Sequence, residues 1–546
     1  MKKINVIICL VAISNCLFSQ TQKTSVIDDA GVDIKTFNAK QAFLGGDINK
    51  ALKLYSEANT AKPNDGSILY HMGQCYYALE QPEKALTYLE RAESIDSNAN
   101  EDLHLTLGTV YLQDDQVDKA LYEFSAHKRK YIKSPEKLKN DDIDHFIAEC
   151  MLAKQMEAQP INITVKNAGD AINSEYDEKS PSVTADGSRL IFTSNRPLLV
   201  GDMKASNDPS MLYDNVYICK WDSSKNTWGP SYPIDGDVNE AYAHTSCTSI
   251  SPDGNYIFLY KNNIHGASRG GDIYMSKKSS KGKWGAPVAL SKSINSSYYE
   301  DGACLSPDGN TLYFTSERPG GYGRADLYKS DRISKTEWTE AENLGPIVNS
   351  QYDEGAPFMA PDGRTLFFSS DGHATMGGYD IFRTSMNDSG KWTAPVNMGY
   401  PINTVDDEKG FTISADARTG YIASNRKGGD GKRDLYIVDL SNSSVLSADN
   451  ANAKPKGYSI LRGKVSSAKG GPIPEAHVNV TDSAGAKVSN ITTNADGIYF
   501  ITLKANMKYK IKVAVQGYKG TSKAISLPDS PLGTFTMQQD FVLEKE

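Results

Sequence analysis

The chain has no Cys-x-x-Cys pair, no His-Glu-x-x-His helix signature and no Gly-x-x-x-x-Gly-Lys-Ser/Thr loop. The usual linear marks of structural zinc, zinc hydrolases and phosphate cradles are therefore missing. Cysteine is sparse. Beyond Cys9 and Cys16, only Cys75, Cys150, Cys219, Cys247 and Cys304 remain, an odd number without short spacing, which excludes a disulfide framework and points to buried thiols. The eight histidines are dispersed, and lone ones such as His265 and His373 read as solvated loop residues. There is no basic excess either: 59 Lys and Arg against 67 Asp and Glu leave a net charge of −8, no field for nucleic acid or anionic lipid. After the first twenty residues no apolar run is long enough to span a bilayer.

Lys2 and Lys3, the apolar run Ile4 to Val11 and the polar exit Ser19-Gln20 form an export signal over residues 1–19, cut near Ser19. The expected location is the periplasm or the outer membrane. Cys16 follows Ile13-Ser14-Asn15; Asn15 is a poor residue at the cut that would expose a lipid-modified cysteine, so a lipid anchor there is the lesser reading.

A length of 546 residues implies three or four domains at about 150 residues each. Residues 33–160 carry a helical repeat. Lys50-Ala51-Leu52, Lys84-Ala85-Leu86 and Lys119-Ala120-Leu121 recur at spacings of 34 and 35, each ahead of a bulky Tyr55, Leu89 or Phe124, while small Ala39, Gly73 and Gly108 take matching places one helix earlier. This resembles the tetratricopeptide repeat, with three repeats and a capping helix from about Asp141 to Met156. The resemblance implies a groove for a partner peptide or helix, with Tyr76, Tyr77 and Tyr111 as candidate lining; the plainer reading puts these tyrosines in the core.

Residues 161–440 change period. A turn built on Asp-Gly recurs at Asp186, Asp253, Asp308 and Asp362, with a degenerate Asp416-Ala417 fifth, at spacings of 67, 55, 54 and 54. Asn215-Val216-Tyr217, Asp272-Ile273-Tyr274, Asp326-Leu327-Tyr328, Asp380-Ile381-Phe382 and Asp434-Leu435-Tyr436 mark a third strand in each unit, and Trp228, Trp284, Trp338 and Trp392 a fourth. Four short strands per fixed period predict a β-propeller, with five blades. The orphan strand Ile161 to Val165 is expected to complete the fifth, and a sixth, irregular blade is the alternative.

Each first strand is approached by Asn173-Ser174-Glu175-Tyr176-Asp177-Glu178 or its equivalents ending at Glu300, Glu354 and Glu408, whereas the second unit keeps Asn239 and Tyr242 but has Ala243-His244 instead of the carboxylates. A ring of Glu178, Glu300, Glu354 and Glu408 beside a central channel is the candidate site for a cation or a basic peptide. The architectural alternative has these carboxylates capping turns and pairing with Arg196, Arg318 and Arg426.

Residues 441–457 read as a linker, being rich in Ser, Asn, Ala and Lys. Residues 458–546 alternate in a β pattern around Gly471-Pro472-Ile473-Pro474 and Asp496-Gly497-Ile498-Tyr499, which resembles the carboxypeptidase regulatory-like domain, a transthyretin-like sandwich. The Ser-Pro-Asp-Gly-x-x-Leu-x-Phe-x-Ser repeats resemble the TolB-like propellers. The module order is similar to that of PorE-type periplasmic accessory proteins of type IX secretion and gliding. That resemblance implies a non-catalytic envelope scaffold with protein partners and no cofactor. The family's peptidoglycan-binding OmpA-like domain has no matching residues before Glu546, so peptidoglycan binding does not carry over. The rival readings are a propeller enzyme acting on glycans or peptides through channel carboxylates, and a surface sugar-binding module with Tyr322 and Tyr379 as a platform.

Overall fold

A computed structural model describes residues 30–198, 212–240, 243–262, 270–279, 281–334, 337–443, 445–446, 457–529 and 533–546. The expected signal segment with Cys16, and also Tyr242 and His265, lie outside the described residues. The chain divides into two compact units, Met1–Lys154 and Gln155–Glu546. No helix among the described residues is long and apolar enough to cross a membrane.

The first unit is helical: α1 (30–44), α2 (Ile48–Ala61), α3 (Gly66–Ala78), α4 (Pro82–Ile95), α5 (Leu103–Gln113), α6 (Val117–Lys130), the short α7 (Pro135–Asn140) and α8 (Ile143–Glu157). Asp47 and Asp65 cap α2 and α3 by accepting from backbone N–H groups of their first turns. The three small residues stand where helices meet. Ala39 is fully buried, a Cβ on Gly73 would lie 2.5 Å from Leu89 Cγ, and one on Gly108 2.5 Å from Phe124 Cε1. Paired helices therefore approach at one small residue per pair, and the bulky residue of the second helix fills the space.

In the second unit, five antiparallel sheets follow one another along the chain. Their first strands are Glu178–Val183, Thr245–Ile250, Glu300–Leu305, Glu354–Met359 and Glu408–Ile413. The third strands are Asn215–Asp222, Asp272–Lys277, Asp326–Asp331, Asp380–Ser385 and Asp434–Asp439. The first strands lie side by side in chain order, and the fifth also lies against the first. Fourth strands are short, such as Val288–Ala289 and Glu342–Asn343. Trp284, Trp338 and Trp392 precede them in single bridges to Lys278, Arg332 and Met386. The fifth sheet takes its fourth strand from ahead of the first: Thr164–Asn167 pairs antiparallel with Asp434–Asp439, Thr164 opposite Asp439 and Asn167 opposite Tyr436. It starts three residues later than expected, since the Ile161 N–H donates to Tyr400 O at 2.9 Å.

Between consecutive sheets, one side chain does the work of a strand. Asn173, Asn239, Asn295, Asn349 and Asn403 each accept from the N–H and donate to the C=O of one third-strand residue: Leu435, Val216, Ile273, Leu327 and Ile381 in turn, at 2.8–3.0 Å. An asparagine carries the donor and acceptor of a peptide group. It thus closes a ladder that the backbone, turning toward the next sheet, has left.

The C-terminal residues form two facing sheets. In one, Tyr458–Ser467 pairs with Ile498–Lys504, Thr536–Gln538 and Phe541–Leu543; the other runs Lys487–Thr492, His477–Asp482, Met507–Ala514, Thr521–Leu527. Val465, Val478, Val480, Tyr499, Ile511 and Val513 fill the space between them, as in a β-sandwich. The sandwich rests on the sheet turns: Tyr458 N–H donates to Ala415 O at 2.8 Å, Thr502 Oγ1 to Pro361 O at 2.6 Å and Thr534 Oγ1 to Ala185 O at 3.2 Å. The degenerate fifth turn lies under it, Ala415 and Ala417 being 0% and 1% exposed.

Candidate functional site

The four repeated glutamates lie inside the sheets, not on a surface: Glu178, Glu300 and Glu408 are 0% exposed and Glu354 1%. Glu178 accepts from Ser174 N–H (2.9 Å), Ser174 Oγ (2.8 Å), Ser194 Oγ (2.6 Å) and Arg196 Nη2 (2.9 Å). Glu300 repeats the set with Ser296, Ser316 and Arg318, and Glu408 with Thr404, Ser424 and Arg426. These oxygens hold turns and guanidinium groups, so the ring expected to meet a cation or basic peptide is spent on architecture. Arg426 also donates to the carbonyls of Pro401 and Ile402, at 3.0 and 2.7 Å.

The fourth sheet breaks the pattern. Gly372 stands where the others place arginine, and His373 Nε2 lies 3.9 Å from Glu354 Oε1 while bonded to Val348 O at 2.8 Å. His373, expected on a solvated loop, is buried enough that its pKa is lowered, so no cation balances the carboxylate. Burial pushes Glu354 up to about 7, against the hydrogen bonds from Ser350 and Ser370. A folded pKa raised above the unfolded value means that this group's stabilisation is full below about 4.5 and lost as pH rises through about 7. Glu354→Gln should therefore flatten the decline in melting temperature between pH 5 and 8 (roughly the span of the shift), and an unchanged slope would reject this environment for Glu354.

The residues after the glutamates face the opposite way, into a cavity of about 380 Å3 framed by all five first strands. Lys179, Ser246, Asp301, Gly355 and Lys409 occupy that register, and Asp214, Tyr260, Tyr299, Arg324, Asp353, Tyr379 and Arg433 join them. Each first strand has a register shift here, as between Asp301 and Cys304 or Lys409 and Thr412. Four carry a left-handed residue at it: Ser180 (φ 51), Gly302 (62), Ala356 (48) and Gly410 (70). In Ser180 and Ala356 that conformation costs about 1 kcal/mol or more, so the surrounding fold imposes the bulge.

Most cavity charges are answered. Arg433 Nε and Nη2 meet Asp177 at 3.0 and 3.1 Å, Arg324 is bidentate on Asp353, and Lys179 Nζ is 2.9 Å from Asp214. Lys409 Nζ lies 3.4 Å from the ring centre of Tyr379, and burial lowers its pKa. Asp301 accepts from Tyr299 Oη at 3.0 Å and from Gly302 N–H at 2.5 Å, and burial raises its pKa. Sequence reading named the glutamates and passed over their neighbours. The usable signal was the alternation of a strand, which sends the residue beside a buried Glu to the other face, together with the charge variation from Lys179 to Lys409 in an otherwise repeated motif.

In the helical unit, Tyr111 is 5% exposed and its Oη donates to Glu90 at 2.6 Å, which places it in the core and not in a groove. Tyr76 is half-buried and stacked on Tyr88 at 5.2 Å; Tyr77 is half-buried too. A hollow of about 330 Å3 opens elsewhere, lined by Phe37, Lys40, Tyr55, Asp65, Ile68 and His71 among others. Glu93, His104 and Glu123 bring three potential metal ligands within 4.8 Å of one another, but His104 Nδ1 is already 2.7 Å from Glu123 Oε2. The five described cysteines are free and buried, and burial pushes Cys75, Cys150, Cys219 and Cys304 up to about 12, which makes them inert thiols.

A Gly-x-Ser-x-Gly spacing occurs at Gly266–Gly270. It joins the antiparallel strands Tyr256–Lys261 and Asp272–Lys277, where a nucleophile elbow needs a strand-to-helix turn, and Ser268 lies outside the described residues.

Residues 42–99 match the tetratricopeptide repeat family and residues 460–543 the carboxypeptidase regulatory-like domain. No curated protein matches the chain. Among solved structures, the TPR2B domain of yeast Sti1 in its pHsp70 complex is 18% identical, covering 22% of this chain and 95% of that one, with a TM-score of 0.21. The Yersinia enterocolitica type III secretion chaperone SycD with a peptide of YopD is 15% identical over 23% and 95%, TM-score 0.22. 3-Chlorocatechol 1,2-dioxygenase from Rhodococcus opacus 1CP is 14% identical over 16% of this chain and 60% of that one, TM-score 0.14. The chain thus spans less than two thirds of the dioxygenase's length. A helical tetratricopeptide region, a large β-rich region of many small sheets and a carboxypeptidase regulatory-like sandwich make up the described chain.

Proposed function

We propose that this chain is a non-catalytic, exported scaffold of the bacterial envelope that binds protein partners through its helical repeats, with a five-bladed β-propeller as its body. The tetratricopeptide match over residues 42–99 carries the reading, because stacked helix pairs offer an extended surface to a partner. Ile34, Phe37 and Leu44 on α1 are 62%, 62% and 69% exposed, a run of large apolar side chains on the first described helix of the array. The propeller reading draws on the fifth sheet's use of Thr164–Asn167 and on Asn173, which ties the approach to the first sheet to Leu435 of the fifth. An accessory place in type IX secretion or gliding follows from the module order, and a periplasmic or outer-membrane location from residues 1–19.

The hydrolase alternative needs two usable carboxylates about 5 to 10 Å apart. In the cavity, Asp353 and Asp214 are engaged by Arg324 and Lys179, and Glu354 by its serines, which favours the binding reading.

A photo-crosslinking residue at Phe37 in intact cells should give one discrete protein adduct, lost when Lys40 at the same hollow becomes Glu. Absence of any adduct, together with release of products from peptide or glycan substrates by the purified chain, would sink the scaffold reading.

A further inference from the structure

Two of the cavity's charges form no direct ion pair, although Lys179 and Lys409 act on Asp301 from a distance. Lys409 and Asp301 line the same space of about 380 Å3, and among the described residues neither forms an ion pair, whereas Lys179, Arg324 and Arg433 each do. Lys409 is held over Tyr379 by its cation, which leaves its three N–H donors free of hydrogen-bond partners. Asp301 uses two of its roughly four acceptor positions on Tyr299 and Gly302. Two hydroxyls of residues that line the cavity, Thr315 Oγ1 and Thr412 Oγ1, are buried behind its wall and have no hydrogen-bond partner. Buried polar atoms are ordinarily satisfied. Lys409 and Asp301, of opposite sign and open to one hollow, describe half of a polar contact set.

The complementary half is constrained by sign. A simple anion would answer Lys409 and be repelled by Asp301; a cation would do the reverse. A neutral sugar would leave both charges desolvated and unmatched, which is costly. We infer that the cavity binds a small zwitterion of amino-acid or dipeptide size, its carboxylate on Lys409 and its ammonium on Asp301. The volume lies at the small end of ligand pockets, about 300 to 1,000 Å3, enough for a dipeptide and too small for a folded chain terminus with its neighbours. Gly302 preserves the room: a Cβ there would stand 2.9 Å from Thr315 Oγ1.

The test is isothermal titration calorimetry of the full chain at pH 7 with L-alanyl-L-alanine, its N-acetyl form, its C-terminal amide, and sodium acetate. The free dipeptide should bind, and each blocked form should bind about tenfold or more weakly, the loss of one charge-assisted contact. Lys409→Met should erase the preference for the free carboxylate, Asp301→Asn the preference for the free ammonium, and Lys409→Arg should restore the first. If a variant does not fold, by circular dichroism, the four ligands on the natural chain decide by themselves. No heat with the dipeptide up to about 10 mM, beyond the millimolar range of weak ligands, or equal binding of free and blocked forms, or binding of acetate alone, would each overturn the assignment.

Discussion

Trp338→Ala should lower the unfolding free energy of the sheet-bearing unit by about 3 to 5 kcal/mol. The indole is 5% exposed and wedged between two sheets, against Phe258 and Ile273 of the second and Leu312, Phe314 and Tyr328 of the third. Arg332 lies over its face at 4.6 Å. Truncation leaves a hollow between two rigid sheets that have no hinge by which to collapse, and also strips the cover from a guanidinium whose own pKa burial has lowered. Urea unfolding followed by near-ultraviolet circular dichroism measures it. A midpoint within error of the natural chain would mean that the repeated tryptophans do not weld neighbouring sheets.

Asn173→Leu should cost about 1 to 3 kcal/mol, since it leaves the buried N–H of Leu435 without a partner, while the Leu435 carbonyl still accepts from Ala168 N–H at 2.9 Å. Leucine has as many side-chain heavy atoms as asparagine, but its methyls crowd partners that the amide holds at 2.8–2.9 Å, so some overpacking adds to the lost hydrogen bonds. The residue matters more than its four equivalents because it joins the segment before the first sheet to the third strand of the last. Amide exchange gives the sharper reading: Leu435 should exchange far faster in the variant, while Leu327, held in the same manner by Asn349, should not change. Equal protection of both amides would show that the strand Thr164–Asn167 holds the seam without help.

Several features were legible because they are periodic. The helical repeat announced itself by small residues facing bulky ones, and Gly73 and Gly108 sit at helix crossings that admit no side chain. The five sheets were legible from the Asp-Gly turns and the third-strand triplets. The roles of the motif residues were not. Asn173 and Glu178 occur in one hexapeptide, and nothing local distinguishes the side chain that clamps a neighbouring sheet from the one that anchors a turn; both partners, Leu435 and Arg196, come from remote parts of the chain. Likewise His373 read as a loop residue, because only the fold places it in the position that an arginine fills in three other sheets.

The sequence by itself determined the order of modules, the count of repeats and the alternation within each strand, because these depend on spacing along the chain and on which side chains water rejects. Tertiary structure alone decided which carboxylates are spent and which stay open. A charge becomes unavailable when a partner from another sheet reaches it, as Arg433 reaches Asp177. Lys409 and Asp301 remain without a direct ion pair because the strands that frame them bulge at one level around a space that no residue of the described chain fills.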